Sequence, residues 1–399
     1  MKQILQKMDV DNKKVIVRCD FNVPIKNNAI LDDYKIIASL DTINYLIEHN
    51  AKIILLSHLG KIKKEEDKLN NSLELVAKRL NELLNTKVIF SKQTRHPLLT
   101  EKINQLNPRE VILLENTRFE DVPNNLESGC NEELSKYWAS LADIYVNDAF
   151  GSSHRRHAST YGIAKYIPSC IGLLIQKELK VLKENILNPD HPFTIIMGGA
   201  KIDDKISLMN KLLPKCDYML LTGGIANTCL KILKFNVGKS ISSNDENILI
   251  NVRDLLVDYR SKILLPFDVI VSNTYNDDYI NQKDVNEINS NEEIKDIGPK
   301  TITNYKEIIE KSNTIFVNGT AGVYEDNRFA NGTKEVLSTL SNSNAKVIIG
   351  GGDSASSARL FGYADKFFYI STGGGATLDY IIYEKLDALD IIPDEEDVL

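Results

Sequence analysis

At 399 residues the chain is too long for one hydrophobic core of ordinary size, so two domains are the default expectation. With 43% hydrophobic and 26% charged residues, neither a disordered nor a fibrous protein is indicated. A net charge of −7 argues against a nucleic-acid partner, which is bound through a basic surface that releases counterions; any anionic ligand must meet a local cationic pocket.

Residues Met1 to Asp11 lack the apolar core of a signal peptide. Short apolar runs then recur, each followed by a longer helix-compatible stretch. In the first half they are Lys14 to Phe21, Lys52 to Ser57, Lys87 to Phe90, Glu110 to Leu114 and Asp143 to Val146. Ile171 to Ile186 has Leu174, Leu179, Leu182 and Ile186 at helical spacing and is stopped by Asn188, Pro189, Asp190 and Pro192, which marks an interdomain helix and hinge. The second half has Phe193 to Met197, Tyr218 to Leu221, Ile263 to Val271, Thr314 to Val317, Lys346 to Ile349 and Lys366 to Ile370. The polar, weakly periodic stretch Asn273 to Asp296 is expected to form surface loops and short elements without chemistry.

Continuous apolar runs suit strands covered on both faces. The expected fold is α/β, with two doubly wound parallel-sheet (Rossmann-like) domains joined by a helix and hinge. We divide it at 1–170, 171–192 and 193–384, with the tail from about residue 385 packing back on the first domain. No apolar run reaches membrane-spanning length. Five scattered cysteines, Cys19, Cys130, Cys170, Cys216 and Cys229, lack the close pairs of a zinc site. A cytoplasmic protein with reduced thiols and no membrane partner is expected.

Ligands of open parallel sheets bind beyond the carboxyl ends of the strands. In the first half those ends carry Asp20, Asn22, His58, Gly60 and Arg118, and then His154, Arg155, Arg156 and His157. Guanidinium and imidazole groups suit a small, compact anion. In the second half the ends carry Gly198-Gly199-Ala200-Lys201, Gly223-Gly224, Asn318-Gly319, Gly350-Gly351-Gly352-Asp353-Ser354 and Gly373-Gly374-Gly375. Glycine turns at helix starts let backbone N–H groups approach polyphosphate, and Asp353 is available for magnesium. Single glycine turns are weak signals, whereas five in one half are not. Arg18 and Asp20 share a strand face by period two and are expected to pair with each other. His154, Arg156 and His157 read as solvated loop residues.

These motifs, in this order, resemble the phosphoglycerate kinase family over essentially the whole chain. The resemblance rests on Val17-Arg18-Cys19-Asp20-Phe21-Asn22-Val23-Pro24, Ser57-His58-Leu59-Gly60, Glu115-Asn116-Thr117-Arg118-Phe119 and Asp148-Ala149-Phe150-Gly151. It continues through Gly198-Gly199-Ala200-Lys201, Gly223-Gly224-Ile225-Ala226-Asn227-Thr228, Asp296-Ile297-Gly298-Pro299, Gly350-Gly351-Gly352-Asp353-Ser354 and Ser371-Thr372-Gly373-Gly374-Gly375-Ala376. It implies reversible phosphoryl transfer between ATP and 3-phosphoglycerate, giving ADP and 1,3-bisphosphoglycerate, by a glycolytic, cytosolic monomer that closes about a hinge. Carried onto matching positions, it implies that Asp20, Phe21, Asn22, Lys35, His58, Leu59, Gly60, Lys61, Arg118 and Arg155 bind 3-phosphoglycerate. Gly199, Ala200, Lys201, Lys205, Gly223, Gly224, Gly298, Asn318, Glu325, Gly351, Gly352, Asp353 and Ser354 would bind nucleotide, with Asp353 holding Mg2+. Lys35, Lys201, Gly352 and Gly375 would serve the transfer itself.

The chain departs from the family pattern at Lys35, where an arginine is usual, at Thr222, where a glycine is usual, and at Thr320, where a proline is usual. Lysine keeps the charge but loses the planar fork. Two other readings stay open on sequence. One is a paralogue that binds nucleotide and triose phosphate without turnover. The other, a nicotinamide-dependent dehydrogenase, would share the sheets but lacks the glycine fingerprint after the first strand.

Overall fold

The computed structural model of the chain describes residues 2–273 and 276–398. The chain forms two compact units, Met1–Lys180 with Tyr383–Leu399, and Val181–Ile382. The division falls inside the helix Leu173–Leu182, which runs on into a π-helical turn at Lys183–Leu187.

The first unit holds β1 (Lys14–Arg18), β2 (Lys52–Leu56), β3 (Val88–Ser91), β4 (Val111–Leu114), β5 (Ile144–Asn147) and β6 (Ser169–Ile171). They form one parallel sheet in the order β3-β4-β2-β1-β5-β6. Alternate residues supply two separate cores: Val15, Val17, Ile53, Leu55, Val111 and Leu113 on one face, and Ile16, Ile54, Leu56, Ile112 and Leu114 on the other. That double coverage is why the runs are apolar without alternation. Connections leave β1 and β5 in opposite directions, which opens a crevice at the carboxyl ends of these two strands. The carboxyl-terminal segment belongs to this unit. The Ala388 N–H donates to the Ser153 carbonyl at 2.9 Å, and Lys7 pairs with Glu395 at 2.7 Å.

The second unit holds β7 (Phe193–Met197), β8 (Tyr218–Leu221), β9 (Ile263–Leu264), β10 (Asp268–Asn273), β11 (Asn276–Asp284), β12 (Glu292–Ile297), β13 (Thr314–Asn318), β14 (Lys346–Ile349) and β15 (Tyr369–Ile370). A parallel sheet runs β9-β8-β7-β13-β14-β15, and an antiparallel sheet runs β11-β10-β12. Connections leave β7 and β13, which pair parallel, in opposite directions, and the turns at Gly198 and Gly319 face each other.

Three expectations are corrected. Ile263 to Val271 is not one strand: Pro266, which lacks an N–H, separates β9 of the parallel sheet from β10 of the antiparallel one. Asn273 to Asp296 is not mainly loop. It supplies β11 and β12, whose apolar support is a small cluster of Val269, Val271 and Ile288, so polar residues dominate the pattern. The Lys366 to Ile370 run shortens to Tyr369–Ile370 after a 3-10 turn at Ala364–Lys366.

Candidate active site

In the first unit the loops after β1, β2 and β4 are joined by one line of polar contacts. Lys35, in the short helix Tyr34–Ala38, places Nζ 2.8 Å from Asp20 Oδ2. The other carboxylate oxygen accepts the Asn22 N–H at 3.1 Å. Asn22 Oδ1 in turn accepts the Gly60 N–H at 2.9 Å, and Arg118 Nη1 donates to the Gly60 carbonyl at 2.6 Å. Gly60 has φ +63°, and a Cβ there would overlap the Asn71 side chain. Phe21 is buried, with its N–H on Ser57 Oγ at 2.8 Å. Leu59 is held twice by Asn116, which accepts its N–H at 3.2 Å and donates to its carbonyl at 2.7 Å. Sequence reasoning assigned Asn116 no role. Its function appears only once the loops after β2 and β4 are seen side by side.

The electrostatics of this cup are set by burial. Burial alone would raise the Asp20 pKa, yet the charge and hydrogen bond of Lys35, with the charge of Arg18, hold it well below the usual carboxylate range. Arg118 is buried, and among the described residues its Nε has no hydrogen-bond partner. Burial, and then the charges of Arg18 and Arg155, pull its pKa down, but a guanidinium stays cationic. A buried guanidinium donor without a partner is uncommon, and it marks Arg118 as a place where an anion would complete the hydrogen bonding. Lys61 and Arg155 are exposed, and Arg155 Nε donates to His154 Nε2 at 3.0 Å.

Arg18 does not pair with Asp20. β1 ends at Arg18, so period two no longer applies to Asp20, whose ion pair is with Lys35. The fully buried Arg18 donates from Nε to Ser159 Oγ at 2.8 Å and from Nη1 to the Cys19 carbonyl, and lies 3.1 Å through Nη2 from His58 Nδ1. Ser159 donates on to Glu127. Guanidinium has no acceptor, so His58 Nδ1 is the acceptor and Nε2 carries the proton. Burial and then Arg18 keep the His58 pKa well below its ordinary value, so the ring is neutral. His157, expected in solvent, is also buried, and burial with the surrounding arginines lowers its pKa to about 3. Arg156 is exposed, on Asp387 at 3.1 Å.

In the second unit a cavity of about 240 Å3 opens beyond the parallel strands. Its floor comes from the turns Gly199-Ala200, Gly223-Gly224 and Thr320-Ala321-Gly322, its apolar wall from Ile241, Val269, Ile294 and Val323, and the carboxylates of Glu293, Asp296, Glu325 and Asp353 also line it. The antiparallel sheet, which sequence reasoning left without chemistry, thus builds one wall. Asp296-Ile297 within a quoted motif was the available signal.

Next to the cavity, buried Lys205 donates Nζ to the Asn318 carbonyl at 3.0 Å and to its side-chain oxygen. Asn318 Nδ2 donates to the Gly350 carbonyl at 3.0 Å. Ser354 Oγ accepts the Gly319 N–H at 2.6 Å. Gly351, with φ +97°, precedes the helix Gly352–Leu360, and Gly375 starts the helix Gly375–Tyr383. Around a Cβ built at Gly352 or Gly375 the space is open, leaving both helix starts accessible to an anion. Lys201 is exposed after the Gly199 turn. Gly298 faces Asp268 instead, where a Cβ would overlap that carboxylate.

A family model described as phosphoglycerate kinase matches residues 5–383. The chain belongs to the phosphoglycerate kinase family. Its relatives include proteins named phosphoglycerate kinase from Fusobacterium nucleatum, 46% identical over 98% of this chain and 99% of that one, and from Macrococcus caseolyticus, 44% identical over 99% and 100%. The solved phosphoglycerate kinase structure from Coxiella burnetii superposes with a TM-score of 0.84 at 35% identity, covering 98% of this chain and 99% of that one. The family is one of phosphotransferases, and phosphoglycerate kinase activity in glycolysis is the function of this member. Thr222 Oγ1 donates to the Thr320 carbonyl at 3.1 Å.

Asp296 ties the antiparallel wall to the rest of the unit, accepting the N–H groups of Gly332 at 2.6 Å and Ile297 at 2.9 Å. Burial nevertheless pushes its pKa up to about 7. Its unfolded value is about 3.9, so the native state holds the extra proton between those two values and stability falls as pH rises through that window. Urea midpoints measured from about pH 4.5 to 7.5 should therefore decline more steeply for the wild type than for Asp296→Asn; equal slopes would refute this assignment.

Proposed function

We propose that the chain transfers the γ-phosphoryl group of ATP directly to the carboxylate of 3-phosphoglycerate, and the reverse. A carboxylate oxygen of the acceptor forms the new P–O bond as the bond to the β,γ-bridging oxygen breaks, giving ADP and 1,3-bisphosphoglycerate. The observation that carries this reading is the buried Arg118 guanidinium, fixed on the Gly60 carbonyl with Nε unpaired. Such an edge suits the anionic substrate. Residues 1–170 would hold the 3-phosphoglycerate through Arg118, Arg155, His58 and Asn22, and residues 193–384 the nucleotide. A carboxylate with pKa of about 4 is already ionised, so no general base is needed. The cup agrees, because His58 is neutral and its Nδ1 is occupied by Arg18.

What remains is alignment and charge neutralisation. Lys35, Lys201 and the N–H groups at Gly352 and Gly375 are of the right kind. Reacting atoms must come within about 3–3.5 Å, so we assign transfer to a closed state reached by hinge motion around residues 171–192, with water excluded. Asp353 fits a magnesium site. It is an exposed carboxylate lining the nucleotide cavity, and among the described residues no group of three or more His, Cys, Asp or Glu side chains could cage a metal. One carboxylate plus substrate phosphates is the usual arrangement for Mg2+. Bound there, the ion would neutralise charge on the phosphate oxygens. Glu325, also lining the cavity, would accept the ribose hydroxyls. We place the enzyme in the cytoplasm as a monomer. In support of a reducing compartment, the described cysteines are free.

A coupled assay of ADP formation from MgATP and 3-phosphoglycerate tests the reading. Turnover dependent on both substrates is expected. Folded protein that binds both without turnover would make the chain a binding paralogue instead. In the same assay Lys35→Arg should raise kcat/KM for 3-phosphoglycerate about fivefold, the factor that one added net hydrogen bond of about 1 kcal/mol provides. An unchanged or lower value would contradict it.

A further inference from the structure

We propose that Thr222 is a positioning residue for nucleotide binding, strapping together two walls of the nucleotide cavity although it does not itself line it. The inference rests on the nucleotide reading of that cavity. Thr222 is fully buried at the N-cap of the helix Gly223–Ile232, yet its side chain makes no capping bond there. An N-cap threonine ordinarily accepts an N–H of the first helical turn. Here the hydroxyl points elsewhere and donates to the Thr320 carbonyl at 3.1 Å, with the Met197 carbonyl at 3.4 Å.

The bond connects strands that are not neighbours. Thr222 follows β8 and Thr320 follows β13, with β7 between them. It can cross the end of β7 because Gly198 has no side chain; a Cβ there would overlap both Thr222 Oγ1 and the Thr320 carbonyl. Backbone bonds extend the strap. The Gly199 N–H donates to the Thr320 carbonyl at 3.2 Å, the Gly224 N–H to the Gly199 carbonyl at 2.9 Å, and the Thr222 N–H to the Met197 carbonyl at 2.8 Å. The turns so joined contribute Gly199, Gly223, Gly224, Thr320 and Ala321 to the cavity. One hydroxyl outside the cavity thus ties directly two walls that the backbone bonds join only through the Gly199 turn, and a preformed width spares the nucleotide the cost of ordering them.

The test compares Thr222→Val, which keeps the shape and removes the hydroxyl, with Thr222→Ser, which keeps the hydroxyl. Calorimetric titration with MgADP should show about fivefold weaker binding for Thr222→Val, and binding within about twofold of wild type for Thr222→Ser, as one net hydrogen bond predicts. KM for 3-phosphoglycerate should not move in either. In the ligand-free protein, amide exchange at Gly199 and Gly224 should quicken in Thr222→Val, while the amides of β7 and β13 stay as protected as in wild type. Equal affinity and exchange in Thr222→Val and wild type would overturn the strap. So would a serine variant as weak as the valine one, or uniform loss of protection across the second unit, which is the mark of general destabilisation. If the wild type fails to bind MgADP, the nucleotide reading falls, and the exchange comparison still decides whether the strap exists.

Discussion

Arg118→Ala should lower kcat/KM for 3-phosphoglycerate about 100-fold, since hydrogen bonds to a charged group are worth about 1.5–3 kcal/mol each. The loss should appear mainly in KM, because the guanidinium would grip the substrate before and during transfer alike. The Gly60 carbonyl would also lose its partner, and through Asn22 the disturbance reaches Asp20 and Lys35. Arg118→Lys should recover only part of the activity, for an ammonium cannot hold the carbonyl and an anion with the geometry of a fork. Steady-state kinetics at fixed MgATP checks both, and an unchanged KM in Arg118→Ala would remove Arg118 from the substrate site.

Asp353→Asn should reduce kcat by about 100-fold or more, the range found when one preorganised group that stabilises transition-state charge is removed. The amide preserves the shape at the start of the helix Gly352–Leu360 and leaves its backbone N–H groups in place. Docking of the metal-free nucleotide should therefore survive. What is lost is the charge that would hold Mg2+ against the phosphates. Titrating Mg2+ at fixed ATP should show a higher concentration for half-maximal rate in Asp353→Asn. The same half-saturating concentration in both proteins would exclude Asp353 as the metal ligand.

The parallel sheets were legible in the sequence because strands buried on both faces must be continuously apolar, as Val15 to Val17 and Ile53 to Leu56 are. The antiparallel sheet was not. A small buried cluster of Val269, Val271 and Ile288, with Tyr279, Val285 and Ile294 packed against it, supports it, and Asn, Asp and Lys occupy most positions of β11, so its sequence shows no continuous apolar run. The residue types at the strand ends could be read, since glycine turns and arginines follow apolar runs directly. Their pairings could not. Asp20 meets Lys35 across the hairpin of Ile25–Lys26 with Ala29–Ile30, whereas period two pointed to Arg18. Likewise His58 acquires its tautomer from Arg18, forty residues away in sequence, a relation that needs β1 and β2 placed side by side.

We propose a division of labour, with an arginine cup for 3-phosphoglycerate in residues 1–170 and a glycine-turn cradle for magnesium nucleotide in residues 193–384. Calorimetric titration of wild type, Arg118→Ala and Asp353→Asn, each with 3-phosphoglycerate alone and with MgADP alone, tests it most directly. Arg118→Ala should lose 3-phosphoglycerate and keep MgADP, and Asp353→Asn should weaken MgADP and keep 3-phosphoglycerate. Either variant weakening both ligands alike, or the two losses falling the other way round, would contradict it.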